Sequence, residues 1–146
     1  MFREIKKAII EEARINGNFI NQNIELDSYL LKIEKYAMFH SVFTYNSLHG
    51  FVAFYANDLN DLEGFITLVH VSPKYRGKGI AKTLINTTFE TMKVLGMKSC
   101  ALEVLRSNSN AIYLYKSLGF KIVIDKSNHN VLYMTKKLDQ EAKTCR

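Results

Sequence analysis

Val71-Ser72-Pro73-Lys74-Tyr75-Arg76-Gly77-Lys78-Gly79-Ile80-Ala81 reads as the end of a strand that passes through a basic glycine turn into a helix. Two glycines permit a tight turn and a close backbone approach to a ligand. The first N–H groups of a helix have no partner inside it and sit at its positive dipole end, so they face any anion held at the turn. Lys74, Arg76, Lys78 and Lys82 add positive charge around the same spot. The construction is that of a phosphate cradle, although a basic surface turn would have the same composition.

A second segment separates the two readings. Leu102-Glu103-Val104-Leu105-Arg106-Ser107-Asn108-Ser109-Asn110-Ala111-Ile112-Tyr113-Leu114-Tyr115-Lys116-Ser117-Leu118-Gly119-Phe120 reads as strand, short polar loop, helix and strand. Together the two segments resemble the acetyl-CoA-binding core of the GNAT superfamily of N-acetyltransferases. The first motif of that family has Arg or Gln, Gly, then Gly or Ala at the spacing of Arg76, Gly79 and Ala81. The second has Asn, Ala, Leu-Tyr and Gly-Phe at the spacing of Asn108, Ala111, Leu114-Tyr115 and Gly119-Phe120. Both are met in full and in order over residues 50–138, whereas residues 1–45 resemble the family only loosely.

The resemblance implies an α/β fold: a mixed, mostly antiparallel sheet with a splayed central parallel strand pair, flanked by helices. Phe65 to Val71 and Lys98 to Val104 would be that pair, and the pantetheine arm of acetyl-CoA would enter between them. Splaying leaves backbone groups unpaired, and the amides of pantetheine can satisfy them as an added strand would. The implied cofactor-binding residues are Val69, His70, Val71, Arg76, Gly77, Lys78, Gly79, Ile80, Ala81, Asn108 and Tyr115.

Length and composition agree with one domain over residues 1–146: the 47% hydrophobic and 12% aromatic content suffices for a single core. The first 37 residues read as a helical acceptor-side segment, residues 38–138 as sheet and cofactor core, and residues 139–146 as a frayed polar tail. No apolar run approaches the roughly 20 residues needed to span a bilayer. The charged start, with Arg3, Glu4, Lys6 and Lys7, lacks the apolar region of a signal peptide. A soluble, cytoplasmic chain is expected. The net charge of +6 favours polyanionic partners, and the three phosphates of coenzyme A meet that preference without nucleic acid. Two cysteines, Cys100 and Cys145, have neither the number nor the spacing of a disulfide framework or a zinc site, and no metal is expected. A homodimer is left open.

Local patterning places helices over residues 2–15 and from Ser28 to Ala37, the latter capped by Asp27. Met38 to Tyr45 and Phe51 to Ala56 read as a hairpin joined by Asn46-Ser47-Leu48-His49-Gly50. A helix from Lys78 to Leu95 turns Ile80, Ala81, Leu84, Ile85, Phe89, Met92 and Leu95 inward and stops at Gly96. A helix from Asn108 to Leu118 follows the second central strand. Phe120 to Ile124 and Val131 to Leu138 make a closing hairpin across Asp125 to Asn130.

An amine attacking a thioester must arrive neutral, the oxyanion must be stabilised, and the departing thiolate needs a proton. A thioester is already activated, so no covalent enzyme intermediate is required, and Cys100 reads as a small core residue. Tyr115 matches the family's tyrosine and is the candidate general acid, although it also lies on the apolar stripe of its helix and would serve as a core aromatic. Tyr113, off that stripe, is its natural control. Many family members place a carboxylate near the positions held here by Thr67 and Leu68, and this chain departs from that pattern. Glu103 is the candidate base instead: its Leu-Glu-Val run is similar to that of the ribosomal-protein N-terminal alanine acetyltransferases, where the glutamate has that role. The plainer reading is an acid on a half-exposed strand. His70 and Glu63, acting through a water, are weaker candidates, and Asn108 is either a contact to the cofactor arm or an ordinary helix cap. The expected activity is acetyl transfer from acetyl-CoA to a primary amine of a small molecule or a peptide. The alternative is a catalytically silent acyl-CoA-binding module. Acceptor specificity is expected in Asn16 to Asp27 and Asp125 to Asn130.

Overall fold

The structure, a computed structural model, describes residues 1–16, 25–45 and 47–138. Their order is α1 (Phe2–Ile15), α2 (Leu26–Tyr36), β1 (Met38–Thr44), β2 (Ser47–Tyr55), β3 (Glu63–Val71), a 3₁₀ turn (Pro73–Tyr75), α3 (Ile80–Val94), β4 (Ser99–Leu105), α4 (Ser109–Ser117), β5 (Lys121–Ile122), a second 3₁₀ turn (Ile124–Lys126) and β6 (Val131–Lys137). The strands form one mixed sheet in the order β1-β2-β3-β4-β6-β5. Only β3 and β4 are parallel, as the α3 crossover between them requires.

Each face of the sheet has its own core. On one side α3 and α4 cover Val52, Phe54, Ile66, Cys100, Leu102, Val104 and Met134. On the other, Ile5 and Ile9 of α1 and Leu30 and Ile33 of α2 pack with Phe51, Ala53 and Leu68. Strand alternation would put Ile66 and Leu68 on one face. They face opposite ways because the β2–β3 register slips between Ala53, opposite Leu68, and Phe54, opposite Ile66. Thr67 is the extra residue of this bulge, and it reverses the facing of everything after it.

The central parallel pair is joined over a short stretch only. Glu63 to Ile66 align with Ser99 to Leu102 and the ladder then stops, although β3 continues to Val71 against β2 and β4 to Leu105 against β6. The inner edges of Thr67–Val71 and Glu103–Leu105 thus have no strand partner among the described residues, which is the splayed pair that the family resemblance implied.

Several element boundaries differ from the sequence reading. Glu25, not Asp27, caps α2, its carboxylate accepting from the amides of Asp27 at 3.3 Å and Ser28 at 2.9 Å. β1 ends at Thr44 and Tyr45 follows at φ 54, while Ser47 to Gly50 of the expected loop already belong to β2; Asn46 lies outside the described residues. Gly50 is needed inside that strand, where a Cβ would stand 2.9 Å from the His70 carbonyl oxygen. β3 begins at Glu63, earlier than expected, and at Gly64 the missing side chain makes room for Met92. Leu95 is 45% exposed, and Met97 is buried instead. The first strand of the closing hairpin is only Lys121–Ile122, because Ile124 turns out into a 3₁₀ turn, and β6 inserts between β4 and β5. The expected frayed tail, 139–146, and residues 17–24 of the expected specificity loop lie outside the described residues.

Candidate active site

The glycine turn is held from below and left open above. Ser72 donates its amide to the His49 carbonyl at 2.8 Å and its hydroxyl to the Leu48 carbonyl at 2.8 Å. Tyr75 stacks on His49 with centroids 3.6 Å apart. Gly77 and Gly79 lie at φ 77 and φ 79, where side chains are strained, and no atom lies within 4 Å of where a Cβ would be. Gly79 caps α3, whose carbonyl bond comes from Thr83 at 3.1 Å. The amides of Gly77 through Lys82 bond no protein group among the described residues. Lys74, Lys78 and Lys82 are exposed around them. Arg76 is at the turn too, yet its guanidinium is turned back: Nε donates to the Val71 carbonyl at 2.8 Å, and an NH2 group meets Glu12 of α1 at 3.3 Å. Burial holds the imidazole of His70 below its usual pKa, with Glu12 opposing and Arg76 reinforcing that shift. Its ring lies against Phe51, facing α1 rather than the gap.

Other sequence-selected residues lie on β3, β4 and α4. Val69 packs toward the α3/α4 core and Val71 is half-buried. Glu103 is the first β4 residue past the end of the ladder, exposed, on the face opposite Leu102 and Val104. Tyr115 packs from α4 beside the opposite core, its ring edge-on to Phe120 with centroids 5.8 Å apart. Burial raises its phenol to about 12, and its hydroxyl has no hydrogen-bond partner among the described residues. Tyr113 is 78% exposed. Asn108 caps α4, its Oδ1 accepting from the Ala111 amide at 3.2 Å, which leaves its NH2 group for other partners. Cys100 is fully buried, and burial raises its thiol further above its ordinary value.

Three features escaped the sequence reading. Tyr29 of α2 hydrogen-bonds the Thr67 hydroxyl at 2.9 Å and donates to the Thr67 carbonyl at 3.2 Å, pinning the bulge to the helix above it. Glu12 is the partner of Arg76. Tyr133 of β6 donates to Glu63 of β3 at 2.8 Å, and since β4 lies between those strands, the bond crosses over it. Glu63, the weaker candidate base, is therefore engaged at the Ser99 end of the parallel ladder, away from the gap. No local spacing signals contacts separated by 38, 64 and 70 positions. Among the described residues no group of three or more His, Cys, Asp or Glu side chains could hold a metal ion, and no helix is long and apolar enough to cross a membrane.

Comparison with known proteins points the same way. A family model described as "Acetyltransferase (GNAT) family" matches residues 7–120. An uncharacterized N-acetyltransferase of Bacillus subtilis, YdgE, is 35% identical over 72 residues, 49% of this chain and 46% of that protein. The chain thus spans less than half the length of that relative. The crystal structure of a PaiA N-acetyltransferase from Thermoplasma acidophilum in complex with coenzyme A superposes with a TM-score of 0.69 at 23% identity, covering 92% of this chain and 93% of that one. The ribosomal-protein-S18-alanine N-acetyltransferase of Escherichia coli gives 0.67 at 17% identity, covering 84% and 83%. At those identities the likeness is one of fold.

Proposed function

The chain belongs to the acetyltransferase (GNAT) family, and from that premise we propose that it transfers the acetyl group of acetyl-CoA to a primary amine by direct attack. The observation that carries the reading is the parallel ladder ending at Ile66 and Leu102 while both strands run on, with the glycine turn at the far end of β3. The unpaired edges of Thr67–Val71 and Glu103–Leu105 suit the amides of pantetheine. The free amides of Gly77 through Lys82 suit the pyrophosphate, with the lysines around them adding long-range attraction. In this reading Val69, His70 and Val71 contribute backbone, since the His70 side chain faces the other way.

The amine nitrogen attacks the thioester carbonyl carbon; the tetrahedral adduct collapses and the C–S bond breaks. Glu103, exposed at the mouth of the gap, takes the proton that the ammonium must lose. Tyr115, from the opposite face, gives its proton to the leaving thiolate. The burial that raises this phenol keeps it protonated across physiological pH, so the proton is in place when the thiolate departs. The buried, high-pKa Cys100 is unsuited to nucleophilic attack. Asn108 is assigned to the cofactor arm through its free NH2 group.

The test is an amine panel with purified protein, following thiol release from acetyl-CoA across amino sugars, polyamines, amino-acid amides and N-terminal peptides, alongside calorimetry with acetyl-CoA. Transfer to at least one amine is expected. Tight acetyl-CoA binding with no turnover on the whole panel would replace this reading with a silent acyl-CoA-binding module.

A further inference from the structure

A pocket of about 440 Å³ opens on the α2 face of the sheet, inside the roughly 300–1,000 Å³ range of small-molecule sites. It is lined by Ser28, Tyr29 and Lys32 of α2, by Glu25 at the cap of that helix, by Tyr55 of β2, and by Phe65 and Thr67 of β3. The aromatic walls are preorganised: Tyr29 is fixed by its two bonds to Thr67. The two charges are already committed to the protein. Glu25 accepts from the Asp27 and Ser28 amides and from the Ser28 hydroxyl, at 2.7 Å for the last. Lys32 Nζ lies 5.6 Å from the centroid of the Tyr55 ring. What remains for a ligand is aromatic surface with one carboxylate and one ammonium beside it.

The position of the pocket ties it to the gap. Phe65 pairs with Ala101 in the parallel ladder, and the ladder stops one residue later. Thr67 and Glu103 are thus the next positions on the two diverging strands. Thr67 bonds Tyr29 of α2, and Glu103 faces away from the α3/α4 core, so both stand on the same face of the sheet. An amine placed between them would have its nitrogen toward Glu103 and its substituent beside Phe65.

We propose that this pocket receives the side group of the acceptor, and that the preferred acceptors are primary amines bearing an aromatic or bulky aliphatic group one or two bonds from the amine-bearing carbon. The inference rests on the acetyl-transfer reading and deepens it. Acceptors carrying a second cation are not favoured over apolar ones, because the Glu25 carboxylate and the Lys32 ammonium both line the site and offset each other.

The experiment compares acetylation of phenylalaninamide, leucinamide, glycinamide and lysinamide by the intact chain, with phenylethylamine and a phenylalanine-led tripeptide as further arms. Phenylalaninamide and leucinamide should exceed glycinamide in kcat/KM by about tenfold or more, as burial of such a side chain implies, with lysinamide no better than leucinamide. Phe65→Leu, which keeps the wall apolar, should reduce the phenylalaninamide preference modestly. Ser28→Phe, a change on the exposed surface of α2 that fills the pocket, should abolish it while acetyl-CoA affinity is retained. The tripeptide and phenylethylamine arms tell a peptide N-terminus from a free amine, and preference for either supports the pocket. Calorimetry on the CoA-loaded protein with N-acetylphenylalaninamide and N-acetylglycinamide reads the same preference without any chemistry. If no amine is acetylated, the transfer reading falls. If amines are acetylated but glycinamide or lysinamide is preferred, or Ser28→Phe leaves selectivity unchanged, the pocket assignment alone is overturned.

Discussion

At Tyr115 the core-aromatic reading and the proton-donor reading demand the same packing, because a donor aimed at a buried thiolate must sit on the inward stripe of α4. The two separate only at the hydroxyl, which bonds nothing among the described residues. Tyr115→Phe keeps the ring against Phe120 and deletes the proton. We expect kcat to fall by roughly 10²–10⁴-fold, the usual worth of general acid catalysis, with acetyl-CoA affinity measured by calorimetry nearly unchanged. Tyr113→Phe, at a 78% exposed position, should do little; equal effects at both would remove Tyr115 from the chemistry. Glu103 sits on the face of β4 that Leu102 and Val104 leave to solvent. Glu103→Gln should lower the rate most near neutral pH and recover partly at higher pH, where more amine is already neutral. An unchanged pH–rate profile would take the base role from Glu103.

The glycine turn and α3 form the element on which cofactor binding depends. Gly79 combines a positive φ with six consecutive free amides around it. Gly79→Glu would add backbone strain and a negative charge where the pyrophosphate is assigned, so calorimetry should show acetyl-CoA binding abolished in a folded protein. Retained affinity would undo the cofactor assignment. Gly64 has a different reason for its identity, since a Cβ there would stand 2.5 Å from the Met92 sulfur. Overpacking of this kind costs about 1–3 kcal/mol, and a shift of the urea midpoint in Gly64→Ala would report it. From sequence, Gly79 reads as part of the phosphate cradle, whereas no local pattern tells why position 64 is glycine. The β1–β2 connection differs from the sequence reading for a related reason: Gly50 looks like a loop residue locally, and only the approach of β3 explains it inside a strand.

Across the whole molecule, tyrosines tie stability to alkaline pH: among the described residues burial holds Tyr29, Tyr55, Tyr115 and Tyr133 above the usual phenol value. Burial raises Tyr29 and Tyr115 to about 12 in the folded chain, against about 10 when unfolded. Each therefore contributes stability that is fully present below pH 10 and lost as pH rises from about 10 to 12. Urea midpoints should be flat to about pH 9 and decline beyond pH 10. Tyr29→Phe should flatten part of that decline, while the lost bonds to Thr67 cost about 0.5–1.5 kcal/mol at neutral pH; a decline unchanged by the substitution would show that Tyr29 does not titrate with unfolding. The sequence by itself determined the family, the glycine turn, the helix–strand order through the core and the pairing of Tyr115 with the second motif, because these depend on local spacing and backbone conformation. Tertiary structure alone decided that Thr67 bulges and reverses the facing of β3, that Arg76 turns back to Glu12, that Tyr133 holds Glu63 across β4, and that Tyr29, Tyr55 and Phe65 enclose a pocket beside the gap. Those are meetings of residues far apart in the chain. Their partners are chosen by sheet register and helix docking, which no local pattern of residues encodes.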